Sequence, residues 1–510
     1  MAGPTPGPAT ITAEAHLFEG RRVTTASNDL AKVAQTPVSI EAGQQPGLLL
    51  QQVPRTLTTV ATVLGFAAPV VGYFLLVRGY SLNVVTGDQW DDVVVIGRSH
   101  AHLFDWRSLW AQHNENRIFF PNLIVLLLAY TTAFNVQVEE YLSFLLLLAS
   151  TGLIIWAHKR GTPGTPWLYY CPVVILMLSV VQYENALWGF QMAWYLVLLC
   201  LALSLFLLDR MDLSALPFAA AVLSAIVGSY SSLQGLLIWP AGLFVLYLCR
   251  RRGRYIGIWL VAAALTASLY FYNWDSTTGT PRHNYAWQHP FIAIKFFLFI
   301  MGDVVGIHVG YGGSVNYAVM AFGLVVTILS LFTLVVGFRS RVDGDGRAIG
   351  MALIVVGLLF AAIVTAGRVG LGLFDASSSR YTTFTILAVV GIYLTLVGPL
   401  RVPLVATSPV VGNARAHALR GFVSRRGPYL ARWCLFPVIL IQIVFGLHYG
   451  LSGASNDHRF QLQAAHVLRT IDRQSDSTVS YYLYLFHSAN SIRHDAQILK
   501  TYHLNLFSEN

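Results

Sequence analysis

The chain has 510 residues, of which 55% are hydrophobic and only 11% charged, and its mean hydropathy is +0.58. Soluble domains carry about a quarter charged residues, so this composition argues against a soluble multidomain enzyme, although the length alone would allow about three globular domains. The formal net charge of +9 is almost entirely arginine, the only lysines being Lys32, Lys159, Lys295 and Lys500, and the arginines cluster between apolar runs as the positive-inside rule requires, which leaves no case for a nucleic-acid partner.

Residues 1–54 are rich in Ala, Pro, Thr, Gly and Gln and lack the basic-then-apolar order of a signal peptide, which predicts a disordered cytoplasmic tail. A bilayer core of about 30 Å takes roughly 20 apolar residues per helix. On that ruler the runs 57–77, 138–157, 167–183, 190–208, 213–230, 234–249, 256–273, 315–338, 348–366, 381–399 and 433–450 each predict a crossing. Two further stretches are ambiguous: 119–134 is short and contains Pro121, and 291–309 contains Lys295, Asp303 and His308, so either could lie re-entrant or along the interface. The expected fold is all-α, a polytopic bundle of about 11–13 membrane helices over 55–450, with a large loop 78–118 and a small C-terminal cap over 451–510. Cys171, Cys200, Cys249 and Cys434 lie far apart with no metal-ligand spacing and read as core residues.

Sidedness follows from His158-Lys159-Arg160, Arg250-Arg251-Arg252 with Arg254, Arg339 with Arg341 and Arg347, and Arg401, Arg415, Arg420, Arg425, Arg426 and Arg432. These loops are expected inside, with the N-terminus inside and the C-terminal segment outside. The outer face then holds nearly all the unusual polar residues. Neither an internal repeat nor an inverted pair of broken helices marks the chain as a secondary transporter.

The first outer loop opens Gly87-Asp88-Gln89-Trp90-Asp91-Asp92. If a helix starts here, Asp88 shares a face with Asp91 or Asp92. A carboxylate at the membrane edge has raised proton affinity and could act as a general base, or the acids could simply complement a helix dipole. The cluster Trp110-Ala111-Gln112-His113-Asn114-Glu115-Asn116-Arg117 follows. On a helix His113 and Arg117, four apart, would aim at one anion with Glu115 orienting either; the alternative is an interfacial helix with a charged face, and zinc ligation lacks further donors. Around Trp188, the residues Glu184, Asn185 and Gln191 fit recognition of sugar hydroxyls and apolar ring faces, or an aromatic belt. Arg368 after Gly367, and Arg380-Tyr381 after Ser377-Ser378-Ser379, offer a bidentate phosphate clamp, with Arg282, His283, Lys295 and His308 as further cations; the alternative is a glycine-rich turn with snorkelling arginines.

Asp88-x-Trp90, His113-Asn114-Glu115-Asn116-Arg117, Glu184-Asn185-x-x-Trp188-Gly189-Phe190-Gln191, Leu236-Leu237-Ile238-Trp239-Pro240 and Ser379-Arg380-Tyr381 together resemble multi-pass bacterial membrane proteins of the GT-C glycosyltransferase type, over about 55–507. The resemblance implies an outward active site on the bacterial cytoplasmic membrane, a polyprenyl-phosphate or diphosphate sugar donor, and a glycan, lipid or protein acceptor. It implies Asp88 as base and Asp91 or Asp92 as second carboxylate. A divalent cation, Mg or Mn, held by Asp88 and Asp91 would be the one cofactor, and the arginines would neutralise the donor phosphate. The sequence departs from the superfamily in lacking an adjacent acidic pair at 88–91 and in its small C-terminal portion. A lipid or solute transporter, or flippase, and a non-catalytic envelope-polysaccharide assembly protein are the competing readings; the former places its acids near mid-bilayer, whereas here they cluster at the outer edge.

Overall fold

A computed structural model describes residues 54–210, 212–275, 284–307, 316–339, 347–397, 427–485 and 487–508. The tail expected over 1–54, apart from its last residue, lies outside the described residues, as do Arg282, His283, His308, Arg341 and the arginines from Arg401 to Arg426. The chain divides into two compact units, Met1–Leu57 and Thr58–Asn510; of the first, only the opening turn of a helix is described.

The larger unit is a bundle of helices. Helix α1 (Arg55–Tyr80) leads into α2 (Gln89–His100), a two-stranded hairpin of β1 (Gln112–His113) and β2 (Asn116–Arg117), and α3 (Phe119–Thr132). Then come α4 (Val136–Gly161), α5 (Cys171–Met177), α6 (Met192–Leu208), α7 (Ala215–Ser229), α8 (Ile238–Leu248) and α9 (Gly253–Tyr270). The series closes with α10 (Pro290–Gly302), α11 (Tyr317–Arg339), α12 (Arg347–Arg368), α13 (Thr382–Val397), α14 (Gly427–Arg469), α15 (Asp476–Tyr482) and α16 (Ala489–Thr501).

Among the described residues, eight helical stretches are long and apolar enough to cross a membrane, and three shorter apolar helices, Phe119–Thr132, Ala215–Ser229 and Leu233–Leu248, accompany them. This is a multi-pass helical membrane protein. The ambiguous stretch 119–134 is α3: with 14 residues it rises about 21 Å, short of the hydrocarbon thickness. It starts with Pro121 in its first turn, where a missing N–H costs nothing, and stops where Ala133 adopts φ 52°. The second ambiguous stretch is likewise short, 13 residues in α10.

Burial separates centre from rim. Ser379–Leu396 is 94% buried, whereas Arg55–Tyr80 is only 17% buried and exposes Val60, Val63, Leu64, Val71 and Leu75, side chains suited to lipid. The central pair α12 and α13 approaches closely through small residues, as membrane helices do: a Cβ on Gly391 would meet the Gly350 carbonyl oxygen at 2.4 Å.

The two ends of the bundle differ. At one end Arg160 donates to the Phe206 carbonyl, His158 bonds the Leu394 carbonyl, Arg432 donates to the Leu396 carbonyl and Arg251 reaches the Arg210 carbonyl, so these basic residues gather there. At the other end the loop after α1, the hairpin and the C-terminal segment come together. Asn505 donates to Asn83 Oδ1 at 2.6 Å, its backbone N–H bonds the Ala133 carbonyl at 2.8 Å, and Val84, Val85, Trp90 and Val93 share an apolar core with Leu468, Val479, Ile492 and Leu499. The cap expected from the C-terminal residues is thus a helical layer folded onto the first loop.

Gly391→Leu, which forces α12 and α13 apart, is expected to lower stability by about 1–3 kcal/mol, read as a lower thermal midpoint of the detergent-solubilised protein. Gly152→Leu, at a position with nothing within 4 Å, should leave the midpoint unchanged.

Candidate active site

The loop from α1 to α2 turns at Gly87, whose φ of 58° and Cβ position 2.9 Å from the Trp188 ring admit only glycine comfortably. Trp188 Nε1 donates to the Thr86 carbonyl at 3.2 Å, and the Gly87 N–H bonds the Leu483 carbonyl at 2.7 Å. Asp88 then occupies the N-cap position of α2 without making a side-chain cap bond. Its carboxylate is turned instead towards His113, Oδ2 to Nε2 at 3.4 Å, and accepts a hydrogen bond from the Tyr484 hydroxyl at 2.8 Å.

His113 stands between two carboxylates, for its Nδ1 lies 3.0 Å from Asp91 Oδ2. On the far side of Asp91, His487 Nε2 approaches to 3.8 Å. Burial works against charge on the His113 imidazole, yet its bonds to Asp88 and Asp91 carry its pKa up to about 10. Burial pushes the Asp88 carboxyl up, but His113, Tyr484 and Arg380 together hold it below the ordinary carboxylate range. At neutral pH these shifts favour an imidazolium on His113 facing an ionised Asp88.

The helix-based expectation for residues 113–117 is corrected here. Residues 112–117 form a hairpin with Gln112 opposite Arg117 and His113 opposite Asn116, turned at Asn114 with φ 49°. Strand neighbours alternate faces, so His113 and Arg117 point to opposite sides and do not share an anion. The Arg117 side chain donates to the carbonyls of Tyr270 at 2.8 Å, Trp110 at 2.8 Å and Tyr272 at 2.6 Å, which makes it a strut for the hairpin. Glu115 orients neither His113 nor Arg117; it forms an ion pair with Arg368.

Asp91 shares the face of Asp88, and Asp92 does not. Asp92 is 6% exposed, and burial first, with the charges of Asp91 and Asp88 adding and His113 opposing, pushes its pKa up to about 8. Glu184 and Asn185 face the loop of α13: the Glu184 carboxylate accepts from the Arg380 N–H at 2.9 Å and from Ser378 Oγ at 2.8 Å, and Asn185 Nδ2 donates to the Arg380 carbonyl at 2.9 Å. They position the segment that presents Arg380, whose guanidinium sits 5.4 Å from the Tyr381 ring and 3.6 Å from Asp375. Tyr381 in turn donates to Asp375 at 2.8 Å.

A cavity of about 230 Å³ gathers Asp88, His113, Glu115, Gln191, Arg368, Arg380 and Tyr381, with Phe190, Trp194, Trp274 and Phe360 supplying aromatic walls. A second cavity of about 430 Å³ takes only Glu184 from the expected set and is lined by Tyr183, Tyr449, Asp457 and Phe460 among others. Tyr484, His487, Gln234, Trp194 and Trp274 escaped the sequence reading; no spacing ties them to Asp88, from which Tyr484 is 396 residues distant. Among the described residues no group of three or more His, Cys, Asp or Glu side chains is arranged to hold a metal ion. Asp88 and Asp91, the pair expected to hold a divalent cation, both contact the His113 imidazole.

No protein-family model matches the sequence, and no curated protein matches it. Among solved structures, the chain is similar to the crystal structure of ArnT from Cupriavidus metallidurans bound to undecaprenyl phosphate, at 15% identity and a TM-score of 0.44, with 87% of this chain and 88% of that chain covered. A likeness of that degree carries no functional inference.

The His113 contribution to stability is full below the unfolded histidine value of about 6.5 and is lost as pH rises through about 10. The Asp88 contribution is full above the ordinary carboxylate value of about 4 and is lost as pH falls through its lowered one. The thermal midpoint should therefore decline from pH 7 to pH 10 in the native protein. His113→Asn should flatten that decline, measured by scanning fluorimetry in detergent; equal slopes for the two proteins would contradict the bridge.

Proposed function

We propose that the protein is a membrane glycosyltransferase that moves a sugar from a polyprenyl-phosphate or diphosphate donor to a glycan, lipid or protein acceptor. One observation carries this reading: a single cavity at the polar end of the bundle holds an ionised carboxylate, Asp88, facing a cationic wall of Arg368 and Arg380, with aromatic rings between. Arg160, Arg251 and Arg432 collect at the opposite end, which by the positive-inside rule faces the cytoplasm. The cavity then opens on the extracytoplasmic face of a bacterial cytoplasmic membrane.

In this mechanism Arg380, the less committed of the two guanidiniums, holds the donor phosphate, and Arg368 stands behind it in its pair with Glu115. The acceptor hydroxyl oxygen attacks the anomeric carbon while the bond from that carbon to the phosphate oxygen breaks. The phosphate leaves with the electron pair, and its growing charge is stabilised by the arginines. As the new bond forms, the hydroxyl proton becomes acidic and passes to Asp88. The transition state has oxocarbenium character of the kind met in glycoside hydrolysis, and a single displacement inverts the anomeric centre. His113 keeps Asp88 ionised and aimed; Tyr484 holds its other oxygen.

Asp88→Asn is expected to reduce transfer by about 10²–10⁴-fold, the usual worth of a positioned base, at unchanged expression. The check is mass-spectrometric profiling of envelope glycans and glycolipids in a deletion strain complemented with native or variant chain. The variant strain should lack one hexose or pentose mass and accumulate polyprenyl-phosphate sugar. Identical profiles from both complemented strains would contradict the role of Asp88 and favour transport or assembly.

A further inference from the structure

The charged groups of the active-site cavity are matched to one another: Asp88 with His113, Glu115 with Arg368 and Arg380 with Asp375. Two neutral groups in the same cavity are not. Gln191 is 3% exposed and Gln234 is 8% exposed, both line the cavity, and Gln191 Oε1 and Gln234 Nε2 are buried without a hydrogen-bond partner among the described residues. Buried amide atoms left unpaired are costly. A matched acceptor and donor facing one cavity are what a ligand carrying hydroxyls would satisfy, since a hydroxyl both donates and accepts.

Both amides are held in place. Gln191 precedes the first turn of α6, after the bend at Trp188 and Gly189. Gln234 sits in the turn before α8, and Asn116 of the hairpin fixes that turn by accepting from the Leu233 N–H at 3.0 Å and from Ser232 Oγ at 2.8 Å. The single Ser232 proton is shared between Asn116 Oδ1 and Gln234 Oε1, the latter 2.9 Å away, which leaves the Gln234 amide nitrogen for the cavity. Gly235 allows the turn to press on α7, for a Cβ there would lie 1.9 Å from the Gly228 carbonyl oxygen. Phe190 and Trp194 line the same space and offer flat apolar faces for the C–H side of a sugar ring.

We infer that Gln191 and Gln234 form the subsite for the donor's sugar ring, and that this sugar is neutral, a hexose or pentose bearing hydroxyls without a carboxylate or an amine. The inference rests on the glycosyltransferase reading and narrows its substrate class. A carboxylate on the ring would meet Glu115 and Asp88 with no unmatched cation left for it. An ammonium group would have one unpartnered oxygen of Glu115 to seek, but the charge of that carboxylate is already matched by Arg368.

The test is calorimetric titration of the full detergent-solubilised chain with farnesyl phosphate, alone and carrying glucose, arabinose, glucuronic acid or glucosamine. Glucose or arabinose should tighten binding at least about tenfold over the bare phosphate, and Gln191→Leu and Gln234→Leu should each abolish most of that gain. The bare phosphate, which has no ring to reach the amides, reports folding of each variant in the same experiment. The inference is overturned if the neutral sugars add nothing, if glucuronic acid or glucosamine binds tightest, or if the gain survives in both variants. Failure of the parent reading looks different: the bare phosphate then does not bind the native chain, or binds Arg380→Ala equally well, and the sugar subsite falls with it.

Discussion

Everything at the polar end of the molecule depends on one imidazolium bridging two carboxylates. Burying charge in a low-dielectric environment is expensive unless it is paired with good geometry, and the edge of a membrane bundle is such an environment. With the half-buried His113 between them, Asp88 and the more exposed Asp91 can lie on one face of α2; without it they repel. The bridge also joins segments distant in the chain. The hairpin brings His113, the loop at Gly87 brings Asp88, and the C-terminal layer brings Tyr484 and His487 to the same two acids.

A second constraint aligns the opposite wall. α12 and α13 touch through Gly350 and Gly391, and the same two helices bring Arg368 and Arg380 to one cavity. Glu184 and Asn185 then anchor the segment that carries Arg380. The Arg380 guanidinium lies over the Tyr381 ring and 3.6 Å from Asp375, a longer ion pair than that of Arg368 with Glu115, and this leaves it able to take an anion. Rigid support behind a lightly committed cation is the arrangement a phosphate site needs.

The helices were legible from the sequence because length and hydropathy are local properties: eight of the eleven apolar runs correspond to stretches long and apolar enough to cross a membrane, whereas 213–230, 234–249 and 256–273 fold as helices that do not reach that standard among the described residues. The acids of 88–92 and the arginines at 368 and 380 were legible as a concentration of charge where the bilayer does not call for it. The partners were not. The spacing of His113 and Arg117 reads as a helix face, but Asn114 in the left-handed region folds the segment into a hairpin that sends them to opposite sides. Arg117 and Glu184 look like ligand groups and are held by the protein's own backbone. Tyr484 and Gln234 reach the cavity only through tertiary contacts, which a one-dimensional pattern does not record.

The most direct test of the account is a cryo-electron microscopy map of the native chain in lipid nanodiscs with farnesyl phosphate bound. The account predicts phosphate density against the Arg380 guanidinium in the cavity of Asp88 and His113, with the prenyl chain leaving between helices towards lipid. Phosphate density in the second cavity, beside Glu184 and Asp457, or anywhere out of reach of Arg380, would contradict it.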